Sequence, residues 1–408
     1  MFLYSVVIPT RQRYQYLASA VDSILQFGKD VEIIVSVNGD HMDFKIVKAF
    51  LGHRVDLQQL RIVYTERVVP MYENFEFGLS HATGNYVTTL GDDDALMFCY
   101  RNHVDSHFRN HPNSILTWYR GAYFWNDTPQ HGQLSGLPWQ APIETSFASK
   151  LHYSQTECVS YNDLPNIYNS FFPLHLIDFI KGKNKSFFGE YKFFPHPDCI
   201  APDIFSAIQS LYLLSGSYFL TNSPISISGI GAKSNGLVTM SPGELSDENK
   251  KFKDENQISS FRTYSKKYLF DSDSHQLWNA AIQAFAHKIF SPHVQSKSWN
   301  ISLPWIINLT EAYICCEASV APYYAIDFIK FLRLYVRHHG LIDKLKHIYT
   351  QSFSMTSSDE MALPRYSFRT ILNIRSSKPA SIHVDRFGCL NSFQAVLYYS
   401  ALFDGFDA

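Results

Sequence analysis

The sequence predicts an α/β protein. A parallel sheet wound with helices fills the first hundred residues, and a mainly α-helical domain closes the chain. Three observations carry this. Short β-branched runs alternate with stretches of helical spacing up to residue 91. The strands are continuously apolar, the pattern of a sheet covered on both faces. Beyond a polar segment at 241–256, apolar residues recur at i, i+4 and i+7.

The elements follow in order. Tyr4 to Ile8 is an apolar run ended by Pro9 and Thr10. Leu17, Val21, Ile24 and Leu25 fall on one helical face between residues 14 and 27. VEIIVSV, residues 31–37, is a second buried strand, ended by Asn38 and Gly39. Helical spacing returns over 44–51, a third strand covers 60–64, and a helix covers 74–81. The fourth strand, 86–90, runs straight into Gly91, Asp92, Asp93 and Asp94. Such alternation predicts βαβ units. The middle of the chain is less regular. A helix is expected over 100–109, then a strand-like ILTWYRGAYFW, a helix from Pro202, and strands near 217–220 and 225–230. Lys181, Lys183 and Lys185 read as a solvated loop. SPGELSDENKKFKDEN, 241–256, reads as a linker. After it come the stripes Trp278, Ile282, Phe285, Ile289 and Tyr324, Phe328, Phe331, Tyr335. The division that results is 1–240, made of halves 1–130 and 131–240, then the linker, then 257–408.

Composition narrows the function. With 408 residues the chain exceeds one ordinary core, which stops growing near about 250–300 residues. The 35 basic and 37 acidic residues give a net charge of -2, so no basic surface argues for nucleic acid. The six cysteines form no CxxC pair, which removes zinc-finger and thioredoxin readings. Adjacent Cys315 and Cys316 read as packing residues. Aromatic content is 15%, the mark of a large aromatic core or of rings that meet sugars or a membrane surface. No long apolar run is present and the sequence enters a strand at once, so the expected location is cytoplasmic, with peripheral membrane contact left open.

The chemistry gathers at strand ends. In an open parallel sheet ligands bind beyond the carboxyl ends of the strands. Three consecutive carboxylates there repel one another unless a cation or hydrogen-bond donors hold them. A divalent Mn²⁺ or Mg²⁺ on two of them, completed by substrate phosphates, resolves that repulsion. Thr10 closes the first strand, with Arg11 and Arg13 behind it. The Asn38 amide can pair with a pyrimidine edge, and Arg67 can meet a diphosphate. Neither GxGxxG nor GxxxxGK[ST] follows the first strand, so dinucleotide and P-loop readings lose their key element.

Taken together, VVIPTRQRYQYLASAVDSIL, EIIVSVNGD and MYENFEFGLSHATGNYVTTLGDDDAL resemble the nucleotide-binding half of family 2 glycosyltransferases, with their Rossmann-like GT-A fold. The resemblance covers about residues 1–130 and continues more loosely to about 240. It implies an inverting, metal-dependent transfer of a sugar from a nucleoside-diphosphate donor, UDP by preference, to a hydroxyl of a glycan or glycolipid in surface polysaccharide biosynthesis. It implies that Pro9, Thr10 and Asn38 line the nucleoside pocket, that Asp92 or Asp93 faces the ribose, and that Asp94, with Asp92, binds the metal. Arg13 and Arg67 are placed at the donor. The family's general base lies on a helix after the metal motif, often in a Glu-Asp pair. Here no such pair occurs, and Ala201-Pro202-Asp203 takes its place, making Asp203 the candidate base. Asp203 as a helix-capping residue and Asp198 as the base stay open beside it. Lys233, in a segment resembling the family's flexible loop, can neutralise diphosphate charge. Two other classes remain. A sugar nucleotidyltransferase would need a Gly-rich first loop, which PTRQRY lacks, and a non-catalytic nucleotide-binding scaffold would not need the intact carboxylates. The helical C-terminal domain is expected to serve as an acceptor platform, a homo-oligomer interface or a membrane-proximal face.

Overall fold

The computed structural model describes residues 2–125, 133–136, 139–156, 161–195, 199, 201–231, 275–295, 299, 305 and 380–383. The expected linker, Asp198, Lys233, the cysteine pair and the stripe from Tyr324 lie outside the described residues.

The first strands appear where the apolar runs place them. β1 (Tyr4–Thr10), β2 (Val31–Val37), β3 (Leu60–Tyr64) and β4 (Tyr86–Thr89) pair in parallel, with β1 between β2 and β4 and β3 outside β2. Helices α1 (Tyr14–Phe27), α2 (His41–Leu51) and α3 (Met71–Leu79) link them. α2 starts three residues before the apolar pattern shows it, because Asp40 and Asp43 form a reciprocal capping box. Likewise α3 begins directly after Pro70, ahead of its first core residue, Asn74.

Further on, β5 (Ala95–Leu96) precedes α4 (Arg101–Asn110), and the strand-like ILTWYRGAYFW becomes two strands. β6 (Leu116–Trp118) and β7 (Gly121–Phe124) belong to different sheets, and the chain crosses between them at Tyr119 and Arg120. Then come β8 (Gln133–Gly136), β9 (Ile143–Ser146), α5 (Phe147–Thr156), β10 (Ser170–Pro173), α6 (Leu174–Phe188), α7 (Pro202–Leu213), β11 (Ser217–Thr221) and β12 (Ser226–Ile230). The last described elements are α8 (His275–Val294) and β13 (Ala380–His383). The lysines read as a loop stand on α6, where Lys181 is buried; the helix entry after Pro173 has no side-chain cap to signal it.

The larger sheet runs β3-β2-β1-β4-β10-β6-β11-β9 and the smaller β13-β8-β7-β12-β5. Period-two alternation divides the residues of the large sheet between two cores. Val6, Ile8 and Phe171 pack with Leu17, Val21, Ile24 and Val104 under α1 and α4. Val7, Ile34 and Phe172 pack with Phe75, Ile180, Phe205 and Ile208 under α3, α6 and α7. Phe290 of α8 joins the second core, with its ring 5.2 Å from that of Phe205, so this helix from the expected C-terminal domain packs against α7. The α/β, Rossmann-like architecture expected from the sequence is therefore present.

Candidate active site

The carboxylates sit where the chain leaves the large sheet for the small one. Leu90 N donates to Val7 O (2.9 Å), still in strand register, and Asp94 N then donates back to Gly91 O (3.2 Å), closing a turn. The small sheet clasps this turn. Gly229 N of β12 donates to Asp94 Oδ1 (2.8 Å), Gly91 N donates to Asp94 Oδ2 (3.0 Å), and Trp125 Nε1 donates to Asp93 O (3.1 Å). Gly229 approaches so closely that a Cβ there would lie 1.6 Å from Asp93 O. Asp92, Asp93 and Asp94 end up 0%, 5% and 4% exposed.

Burying three carboxylates requires compensation. Thr10 Oγ1 donates to Asp92 Oδ2 (2.7 Å) from the end of β1. Arg13 reaches in from the start of α1, after Gln12 turns the backbone through φ 58°, and its guanidinium bridges Asp92 Oδ1 (2.5 Å) and Asp93 Oδ2 (2.8 Å). Burial works against the Arg13 charge, and Asp92 and Asp93 more than restore it. The acids remain under-compensated. Burial pushes Asp92 up to about 7, against the pull of Arg13, and pushes Asp94 up to about 6, with Asp93 adding to the rise and Arg120 opposing it. Arg13, expected at the donor, is thus the cation that holds the carboxylate turn.

The far end of the crevice is the loop after β3. Asn38 Nδ2 donates to Val69 O (2.8 Å) and Asn38 Oδ1 accepts from Val69 N (2.8 Å). The amide edge expected to pair with a base is engaged by backbone, and Asn38 pins this loop. Thr65 Oγ1 accepts from Gly39 N (3.1 Å) and donates to Arg67 O (2.6 Å). The Arg67 side chain is exposed at the rim, next to Glu66 in a left-handed conformation, φ 66°. Pro9 is buried in β1.

Opposite the carboxylates, α7 begins with Pro202 at its first turn and Ala201 as its cap, with no side-chain capping bond. Asp203 is half-buried, and its charge acts on the buried Tyr161 phenol. Arg120 lies over the Tyr168 ring, 5.5 Å from its centroid, and its charge faces Tyr161, Asp94 and Asp203. Burial pushes the Tyr168 phenol far up, and Asp94 and Asp203 add to the rise. Asp94 and Asp203 therefore share one polar cluster with Arg120 and Tyr168. Sequence reasoning missed both of these residues; the only signal for Arg120 was a charge followed by glycine inside an apparent strand.

Among the described residues, no three His, Cys, Asp or Glu side chains converge into a ready metal cage. A hard cation that is shared with substrate phosphates needs only one or two carboxylates. Asp94 fits that role. It is buried, carries surplus negative charge, and each oxygen accepts a single backbone N–H. Asp92 fits it less well as a ligand, since Thr10 donates to Oδ2 and the Arg13 guanidinium lies against Oδ1 as an ion pair, although without an aligned hydrogen bond.

Residues 5–172 match the family model described as Glycosyl transferase family 2. No curated protein matches the chain. Among solved structures, residues 1–349 of S. aureus TarS in complex with UDP-GlcNAc are similar at 13% identity and a TM-score of 0.43, over 84% of this chain and 92% of that one. The same TarS fragment with UDP gives 11% identity and a TM-score of 0.40, over 83% and 92%. Likeness of that degree bears on neither ligand nor acceptor. The family match makes residues 5–172 a glycosyl transferase family 2 domain.

Proposed function

We propose that the chain is a family 2 glycosyltransferase that moves a sugar from a UDP donor to a hydroxyl of a glycan or glycolipid acceptor, with inversion and with Mn²⁺ or Mg²⁺ at Asp94. The observation that supports the reading is that Asp94 and Asp203 both act on the same pair of side chains, Arg120 and Tyr168. A displacement at an anomeric carbon needs charge neutralisation on the leaving side and a proton acceptor on the attacking side. The two carboxylates stand in those relations.

In this reading Thr10, Asp92 and the Asn38-pinned loop bound the nucleoside end. Arg13 keeps Asp92 and Asp93 in place. Asp203 takes the proton of the acceptor hydroxyl. The freed oxygen attacks the anomeric carbon from the opposite face, the bond to the diphosphate oxygen breaks, and its electron pair leaves with the diphosphate. A divalent cation bound at Asp94 would neutralise that leaving group. Arg67, exposed at the rim, closes the donor end. The product belongs to a surface polysaccharide, made at the cytoplasmic side, with membrane contact and self-association assigned to the C-terminal part.

The test separates the two carboxylates. Asp94→Ala and Asp203→Asn should each lower UDP release from UDP-sugars by about 10²–10⁴-fold, and only Asp94→Ala should weaken UDP binding. Near-normal turnover in Asp203→Asn would remove it as the base.

A further inference from the structure

Arg120 sits on a fixed piece of backbone. Trp118 N donates to Asn169 O (2.9 Å), Asn169 Nδ2 donates to Trp118 O (2.8 Å), and Tyr119 N donates to Thr221 O (3.2 Å). The next strand, β7, pairs in parallel with β12, which brings Gly229, the donor to Asp94, opposite Tyr123. The guanidinium is thereby carried to the seam between the sheets. Its Cζ lies 5.5 Å from the centroid of the Tyr168 ring, and among the described residues it makes no ion pair of its own. Arg13, by contrast, is committed to Asp92 and Asp93. A half-buried guanidinium with open N–H groups between two carboxylates is poised for an anion that arrives with the substrate.

We propose that Arg120 is a catalytic residue that binds the β-phosphate of the donor and takes up the negative charge developing there as the sugar–diphosphate bond breaks. This rests on the donor reading above and deepens it. The place fits, because the leaving oxygen must lie between the cation-binding Asp94 and the sugar, whose anomeric carbon faces Asp203. Arg120 faces the charges of both carboxylates from the seam that also brings Gly229 to Asp94, and it is ion-paired with neither among the described residues. No additional reactant is required: the electron pair of the broken C–O bond stays on the β-phosphate, the new C–O bond comes from the acceptor, and the proton goes to Asp203.

Calorimetric binding of UDP and of UMP, both with Mn²⁺, tests this in the full chain, with apo melting to establish folding. Arg120→Gln should weaken UDP by about ten- to hundredfold, the value of a charge-assisted bond, and leave UMP unchanged. Arg120→Lys, which keeps a point charge without the planar fork, should fall between; it carries the comparison if the glutamine variant does not fold. Equal losses for UDP and UMP, or no loss for UDP, overturn the assignment, the second outcome leaving Arg120 as a neighbour of Asp203 only. A wild type that binds neither nucleotide overturns the donor reading and this assignment with it. A wild type that binds UDP while the variants bind it equally well overturns the assignment alone.

Discussion

Replacing Arg13 by methionine removes the cation that bridges Asp92 (2.5 Å) and Asp93 (2.8 Å) while retaining much of its apolar stem. Breaking a buried ion pair from one side costs about 3–5 kcal/mol, because the remaining charge stays buried and unpaired. Asp92 escapes part of that cost by keeping its proton. In the wild type it is already raised from 3.8 to about 7 by burial, with Arg13 pulling it down, so without Arg13 it rises further. A group raised on folding gives stability that is full at low pH and lost as pH rises to its folded value. The wild type stops losing stability from Asp92 near pH 7. The variant continues losing about 1.4 kcal/mol per pH unit above it, since its native state holds a proton the unfolded chain has released. Urea unfolding in metal-free buffer at pH 6, 7 and 8 measures both. The gap between the proteins should reach a few kcal/mol at pH 8, narrow by about 1 kcal/mol to pH 7 and level off toward pH 6. A gap below about 1 kcal/mol at pH 8, or one that does not change with pH, would refute the assignment of Arg13 as the clamp.

Gly229→Ala forces a Cβ into the Asp93 carbonyl, with backbone on both sides, so the carboxylate turn must shift. UDP release should fall at least about a hundredfold, reading a misplacement of the order of 1 Å, in a protein that still melts cooperatively; retained activity would show that the turn tolerates displacement. Glu32, buried in β2, accepts from Ser5 Oγ (2.5 Å), Thr83 Oγ1 (2.9 Å) and Gly84 N (3.0 Å). Glu32→Ala orphans these donors and should cost about 3 kcal/mol in denaturant unfolding, whereas a loss under about 1 kcal/mol would mean water replaces the carboxylate. His107 is buried and lowered from 6.5 to about 4, mainly by burial and then by His111, so it stays neutral when folded. Its contribution to stability is full above pH 6.5 and lost as pH falls toward 4; His107→Gln should reduce acid destabilisation by up to about 3 kcal/mol between pH 6.5 and 4, and an unchanged acid limb would place the proton uptake elsewhere.

The first hundred residues were legible because β1, β2 and β4 are buried on both faces. That leaves continuous apolar runs, and the residues ending them, Thr10, Asn38 and Asp92 to Asp94, are the ones the topology gathers. What happens between those residues was not legible. Arg13 and Asp92 are far apart in sequence, and an arginine behind a strand reads equally as a phosphate ligand or as a clamp. Nor could the sequence show that Val69 backbone meets both ends of the Asn38 amide. Glu32 was hidden inside VEIIVSV, since one acid among apolar residues gives no hint that Thr83 and Gly84 converge on it. Arg120 was hidden for a different reason. A chain that passes from one sheet to another without a turn residue at the crossing keeps strand-like composition, so β6 and β7 read as one strand. α6 and its lysines were missed because the helix follows Pro173 without a polar cap.

The central claim is a metal-dependent nucleoside-diphosphate site built on Asp94. Thermal denaturation with UDP, GDP, CDP and TDP, each with and without Mn²⁺, tests it most directly. A ligand at ~100 times its Kd adds about 2.7 kcal/mol. A shift for UDP that requires Mn²⁺ and disappears in Asp94→Ala is the predicted result; no shift with any diphosphate, or a UDP shift that survives without metal and in Asp94→Ala, would contradict it.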